Sequence, residues 1–162
     1  MKQALLVFGL CLASVGVLDA CGGGDGRAES AASGNAASGA SSTKGAAVEV
    51  LKSRYGRMLF DEKGRALYLF TRDRTSTSGC YGDCASAWPP FLTKGKPQAR
   101  GAVKASLLGT TKRRDGKSQV TYHGHPLYYY EGDREPGQVL CQDVVEFGGT
   151  WLVVSPSGRA IR

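Results

Sequence analysis

Two aspartates, two histidines and three of the five cysteines are the residues of this chain with most chemistry to offer. Asp73 and Asp133 each close one copy of the pattern Leu-Tyr-x-aromatic-x-x-Asp, which runs from Leu67 to Asp73 and returns from Leu127 to Asp133. Two carboxylates serve as general acid and base only where their environments push their pKa values apart, and repetition argues for equivalent environments instead. An Asp three residues beyond an aromatic strand position can accept hydrogen bonds from turn amides or a neighbouring Tyr hydroxyl, fixing where the strand stops. That duty is expected of both. His123 and His125 flank Gly124 and would supply two metal ligands if Cys141 or a carboxylate converged on them. No third ligand stands at a telling spacing, and turns favour polar residues in any case. No metal and no cofactor is therefore expected. Cys-x-x-Cys-His, Gly-x-Ser-x-Gly, phosphate-loop and zinc-protease motifs do not occur in the sequence, so no catalytic residue is assigned.

The elements that must position these residues repeat as well. Gly64 and Gly124 precede the two Leu-Tyr motifs by the same step, and Trp88 and Trp151 follow them; the motifs are 60 residues apart and the Trp residues 63. The second unit thus carries a net insertion of three residues. Val48 to Leu51 and Met58 to Phe60 read as a hairpin through Ser53 to Gly56, and Asp61 to Gly64 as a turn. Ala66 to Phe70 is apolar on both faces, which predicts a covered central strand. Arg114-Asp115-Gly116 marks a second tight hairpin. Ser118 to Tyr122 alternates as a strand, His123 to Pro126 turns the chain, Leu127 to Tyr130 returns as a strand, and Trp151 to Val154 is a late strand ended by Ser155 to Gly158. No window carries a helical stripe. The expected fold is mainly β: a small antiparallel domain of two similar units with one short helical turn around Asp83 to Ala87. Tyr68, Phe70, Tyr122, Tyr128, Tyr129, Tyr130, Trp88 and Trp151 are expected in a core between layers; the competing reading is a stacking groove for a planar ligand.

Residues 1–20 read as an export signal, with Lys2 followed by an apolar run from Ala4 to Val17 too short to span a bilayer comfortably. Leu18-Asp19-Ala20-Cys21 resembles a bacterial lipobox, although Asp19 stands where a small residue is usual. Cys21 is then the expected lipidation site, and more than one acyl chain on it gives stable attachment without a membrane-spanning helix. Residues 21–47 are Gly, Ala, Ser and Asn with little that is large. This composition reads as the lipidated Cys followed by a disordered tether of roughly 25–30 Å root-mean-square span. Residues 48–162 form the expected folded domain, extracytoplasmic and anchored to a bacterial cell membrane or outer membrane.

Export also bears on the remaining thiols. Cys11 leaves with the signal and Cys21 takes lipid, so Cys80, Cys84 and Cys141 remain. A four-residue step through Gly82 can bring Cys80 and Cys84 within the roughly 4.4–6.8 Å between Cα atoms that a disulfide needs. A structural Cys80–Cys84 bridge is the favoured reading, with redox or metal chemistry as its competitor, and Cys141 is a small hydrophobe.

At these residues the chain resembles a bacterial family of predicted lipoproteins with a Tyr-x-(Phe/Trp/Tyr)-x-x-Asp motif, the secreted repeat of unknown function. Tyr68, Phe70 and Asp73 fit the motif in the first unit, and Tyr128, Tyr130 and Asp133 in the second. The segments Cys80 through Pro90, which includes Trp88, and Gln119 through Tyr128 are also similar to the family's. The resemblance runs from about Val48 to Gly158 and implies one two-unit domain without implying an activity.

Composition agrees with that scale: 162 residues, 41% hydrophobic and 22% charged, make one globular domain with appendages. A charge of +7, much of it in short clusters such as Lys112-Arg113-Arg114, favours anionic surfaces. That cluster is expected to be a solvated hairpin tip, with lipid headgroups or acidic glycans as alternatives; nucleic acid is not expected. The expected function is a lipid-anchored, non-enzymatic binding or structural module of the envelope, partnered by the membrane and an envelope component. The alternative is a small redox or metal-binding protein using Cys80, Cys84, Cys141 and the two histidines.

Overall fold

The computed structural model describes residues 45–162; the export signal, Cys21 and most of the Gly/Ala/Ser-rich segment lie outside the described residues. Nine strands, β1 (Ala47–Ser53), β2 (Gly56–Asp61), β3 (Tyr68–Phe70), β4 (Gln98–Ala99), β5 (Leu108–Lys112), β6 (Ser118–Tyr122), β7 (His125–Pro126), β8 (Val144–Glu146) and β9 (Gly149–Val153), are joined by one short helix, α1 (Asp83–Ala87), and a 3-10 turn at Ala105–Leu107. They form three small sheets ordered β2-β1-β4, β3-β9-β8 and β5-β6-β7, antiparallel except where β4 runs parallel to β1. The mainly β reading, the two hairpins and the helical turn at Asp83–Ala87 are all present. No helix among the described residues is long and apolar enough to cross a membrane.

The two units exchange strands. β3 of the first unit pairs with β9 of the second, setting Tyr68 opposite Val153 and Phe70 opposite Trp151. In the matching relation, Tyr128 bridges Pro90, the Tyr129 amide donates to the Pro89 carbonyl and the Glu131 amide to that of Ala87. Between these pairings Tyr68 and Tyr128 face each other, each amide donating to the other's carbonyl at 2.9 Å. The contacts on either side of this pair correspond between the two units.

The expected strand over Leu127 to Tyr130 is the main correction to the fold. It makes isolated bridges at Tyr128 and no continuous ladder. Its partner segment reads Trp88-Pro89-Pro90, and a proline has no N–H to donate. The equivalent partner of β3 is Trp151-Leu152-Val153, which keeps its donors and forms a regular strand.

Both faces of β3 are covered. Tyr68 and Phe70 point into one cluster with Met58, Phe60, Trp88, Tyr128 and Trp151, whereas Leu67 and Leu69 join Val48, Leu59, Val120, Leu127 and Leu152 in another. A residue step of one changes the face, so this apolar run serves two cores at once. At β9 the close approach of Phe70 demands a residue without a side chain: a Cβ on Gly149 would lie 2.6 Å from the Phe70 ring.

Candidate functional site

The repeated aromatic residues of the two units meet in one cluster. Trp88 and Trp151 stack with ring centroids 4.1 Å apart and planes 3° from parallel. Phe70 continues the stack beyond Trp151 at 4.1 Å, and Tyr130 packs beyond Trp88 at 4.8 Å. Tyr68 meets Trp88, and Tyr128 meets Trp151, edge-on at 5.2 Å. Offset and edge-to-face aromatic pairs add roughly 0.5–1.5 kcal/mol each beyond area burial. Trp88, Trp151, Tyr68 and Tyr128 are fully buried, so these rings form core rather than a ligand-stacking surface. The Trp88 indole N–H donates to Glu146 Oε2 at 2.9 Å; that of Trp151 is buried without a partner.

The motif carboxylates are tied across the units. Tyr68 donates to Asp133 Oδ2 at 2.6 Å, and Tyr128 donates to Asp73 Oδ2 at 2.7 Å. The other oxygen of each Asp accepts a backbone amide further along its own unit, from Gly79 at 2.7 Å for Asp73 and from Leu140 at 2.9 Å for Asp133. Burial raises the pKa of both carboxyls, partly opposed by these hydrogen bonds. Burial and the facing carboxylate likewise hold Tyr68 and Tyr128 well above the ordinary phenol range, so both hydroxyls remain donors. The two carboxyls thus have matching partners and shift in one direction, unlike an acid–base pair whose members are driven apart.

Two arginines reinforce the exchange. From the β5–β6 hairpin of the second unit, Arg113 donates to Ser78 Oγ, Gln119 Oε1 and the Cys80 carbonyl at 2.6–2.8 Å, and lies over the Tyr81 ring. From the β1–β2 hairpin of the first, Arg54 donates to the Val139 carbonyl. The expectation of a solvated Lys112-Arg113-Arg114 tip is therefore corrected at its centre: Arg113 is only 4% exposed, because the loop from Ser78 to Cys80 supplies acceptors that a solvated guanidinium would find in water. No periodicity marks this residue out. By the 60-residue step of the motifs it is Arg114, not Arg113, that matches Arg54, so the sequence did not single it out.

The cysteines divide as the sequence suggests. Cys80 and Cys84 form a disulfide with Cα atoms 5.3 Å apart, buried ahead of Trp88. Cys141 is free and half-buried, packed against the Trp and Tyr cluster. It follows Leu140, the amide donor to Asp133, just as Cys80 follows Gly79, the amide donor to Asp73. Cys141 is thus the second unit's counterpart of Cys80, and no cysteine matches Cys84 there.

The histidines sit elsewhere, at the β6–β7 turn, with ring centroids 6.5 Å apart. His123 adopts a positive φ of 50° and its amide donates to the Leu107 carbonyl. Burial first, and then His123, lowers the pKa of His125. Among the described residues no three His, Cys, Asp or Glu side chains gather as a metal site would require.

Fold and centre together define a class: a β domain of two intertwined copies, closed around a shared aromatic stack and pinned by one disulfide. The chain belongs to the family described as a secreted repeat of unknown function, whose model matches it twice, at residues 49–91 and 109–155. Those two stretches cover the two units whose partners are exchanged above. Searches of curated proteins and of solved structures returned no match.

Proposed function

We propose that the protein is a lipid-anchored envelope component whose folded domain is a rigid, non-enzymatic module that binds or supports a partner outside the cytoplasm. In this reading residues 1–20 are the lipoprotein signal peptide, Cys21 carries the lipid and the residues from there to the entry of the domain at Gly45 are the tether. This shortens the expected 21–47 segment, because Ala46 and Ala47 are hydrogen-bonded and paired within the fold. The observation that carries the non-enzymatic part is the pair of ties from Tyr68 to Asp133 and from Tyr128 to Asp73. They engage both carboxylates of the repeated motif with protein donors, and the second oxygen of each accepts a backbone amide. A module of this kind offers its outer surface to a partner, while the motif preserves the shape of that surface.

Two experiments test the parts separately. For the anchor, wild-type protein should fractionate with membranes and Cys21→Ser should move to the soluble or precursor fraction; an unchanged distribution contradicts it. For the module, Asp73→Ala and Asp133→Ala should both melt earlier than the parent. A variant that keeps its melting temperature but loses a ligand or metal bound by the parent would make the motif a site.

A further inference from the structure

We propose that a lysine-lined groove beside the point where the chain enters the domain is a docking face for anionic phospholipid headgroups, an inference that rests on the lipid-anchor reading above. The segment after Phe91 runs along the second hairpin: Leu92 bridges Gln119, and the Thr93 amide donates to the Ser118 carbonyl at 3.0 Å. This register brings Lys94 beside Lys112 and Lys117 around an open depression of about 730 Å³, floored in part by Leu92, which is 36% exposed. A second depression of about 340 Å³, bounded by Lys94 and Lys96, shares Ser118 with the first. No Asp or Glu lines either. The four lysines are exposed and, among the described residues, none enters an ion pair, whereas Arg65, Arg100 and Arg113 all do. Asp115 interacts electrostatically with Lys117 but lines neither depression, so the charge of Lys94, Lys96 and Lys112 in particular is open to a partner outside the domain.

The entry point selects that partner. The Gly45 backbone lies against the Lys96 carbonyl, and the Ala46 amide donates to Thr93 Oγ1 at 3.0 Å. The chain leading back to Cys21 therefore leaves the domain at the rim of the groove. In the anchored reading only residues 22–44 separate this face from Cys21, which keeps it at high effective concentration at the membrane to which Cys21 is attached. The acyl chains on Cys21 hold the domain at the membrane, and a basic face adds electrostatic attraction to anionic headgroups there; exposed Leu92 among the lysines suits the boundary between headgroups and acyl chains. A soluble polyanion would satisfy the charge but gains nothing from the position of the entry point.

The test uses the full lipidated protein in phosphatidylcholine vesicles, with and without phosphatidylglycerol, and reads amine labelling lysine by lysine. Labelling of Lys94, Lys96, Lys112 and Lys117 should fall several-fold on vesicles containing phosphatidylglycerol and recover in high salt, while Lys52, exposed outside the groove, is unchanged. The triple variant Lys94→Gln, Lys112→Gln, Lys117→Gln should abolish the protection of Lys96 without altering the fold, since all three positions are exposed. Equal labelling on the two vesicle types would overturn the docking face and leave the anchor standing. Protection by soluble polyphosphate but not by phosphatidylglycerol would overturn it in favour of a free polyanion. Failure to float with either vesicle type would remove the anchor, and this inference with it.

Discussion

The Tyr68 hydroxyl donates to Oδ2 of Asp133 at 2.6 Å, a carboxylate 65 residues away in the other unit, and not to the Asp that closes its own motif. Tyr128 and Asp73 repeat the relation in the opposite sense. With the Arg113 and Arg54 contacts and the exchanged strands, these ties mean that each unit completes the other. The two copies of the repeat are one folding unit, and the motif Tyr-x-aromatic-x-x-Asp encodes the interlock.

Removing either carboxylate should therefore have a similar cost. Asp73→Ala and Asp133→Ala each leave a buried Tyr hydroxyl and a backbone amide without an acceptor, which should destabilise by about 1–3 kcal/mol. Chemical denaturation checks this; a large loss for one and none for the other would break the symmetry on which the account rests.

Acid should act on these carboxyls in an uncommon direction. Burial raises both above their unfolded values, so the protonated form favours the folded state. Their contribution is fully present below about pH 4, the ordinary carboxyl value, and is lost as pH rises through the raised folded-state value. The stability advantage of wild type over Asp73→Asn should accordingly grow as pH is lowered from neutral towards 4. Parallel melting curves of the two proteins across that range test the sign, and an advantage that shrinks on acidification contradicts it.

Arg113 and Arg114 are sequence neighbours with opposite fates. Arg113→Ala should cost about 3 kcal/mol, because it strips donors from Ser78, Gln119 and the Cys80 carbonyl inside the protein. Arg114, whose side chain is exposed over the Tyr81 ring, should tolerate Ala within about 0.5 kcal/mol. Equal effects in urea titrations would return Arg113 to the solvated tip that its sequence context suggests.

Thiol chemistry should distinguish the two units. In the folded domain Cys141 should react slowly with a thiol reagent and Cys80 and Cys84 not at all until reduced. Replacing the bridge by Cys80→Ala with Cys84→Ala should cost about 2 kcal/mol for so short a loop. Mass spectrometry of the labelled protein checks the assignment; a bridge to Cys141 contradicts it.

Much of this domain was legible in the chain because period-two patterning and turn residues act locally. Arg114-Asp115-Gly116 and Ser53 to Gly56 specify hairpins, and the two-faced apolar run at Ala66 to Phe70 specifies a strand between two cores. What sequence could not reveal was the partner of each element. The pattern from Leu127 to Tyr130 resembles that of β3, but whether it ladders depends on Pro89 and Pro90, which only the fold brings beside it. The duty of Asp73 and Asp133 as hydrogen-bond acceptors followed from their type and place; that their tyrosines come from opposite copies is a tertiary fact. Arg113 is a stronger case, since a basic triplet at a hairpin reads as solvent-facing until a loop from the other unit covers its middle member.

A double-mutant cycle on Tyr68→Phe with Asp133→Ala, set beside a second cycle on Tyr68→Phe with Asp73→Ala, measures the interlock most directly. Residues in one hydrogen bond couple by about 0.5–3 kcal/mol, and residues without a shared contact add within about 0.5 kcal/mol. The account predicts coupling of about 1 kcal/mol or more between Tyr68 and Asp133 and near-additivity between Tyr68 and Asp73. Additivity in the first cycle with coupling in the second would mean that each motif closes on itself, and would contradict it.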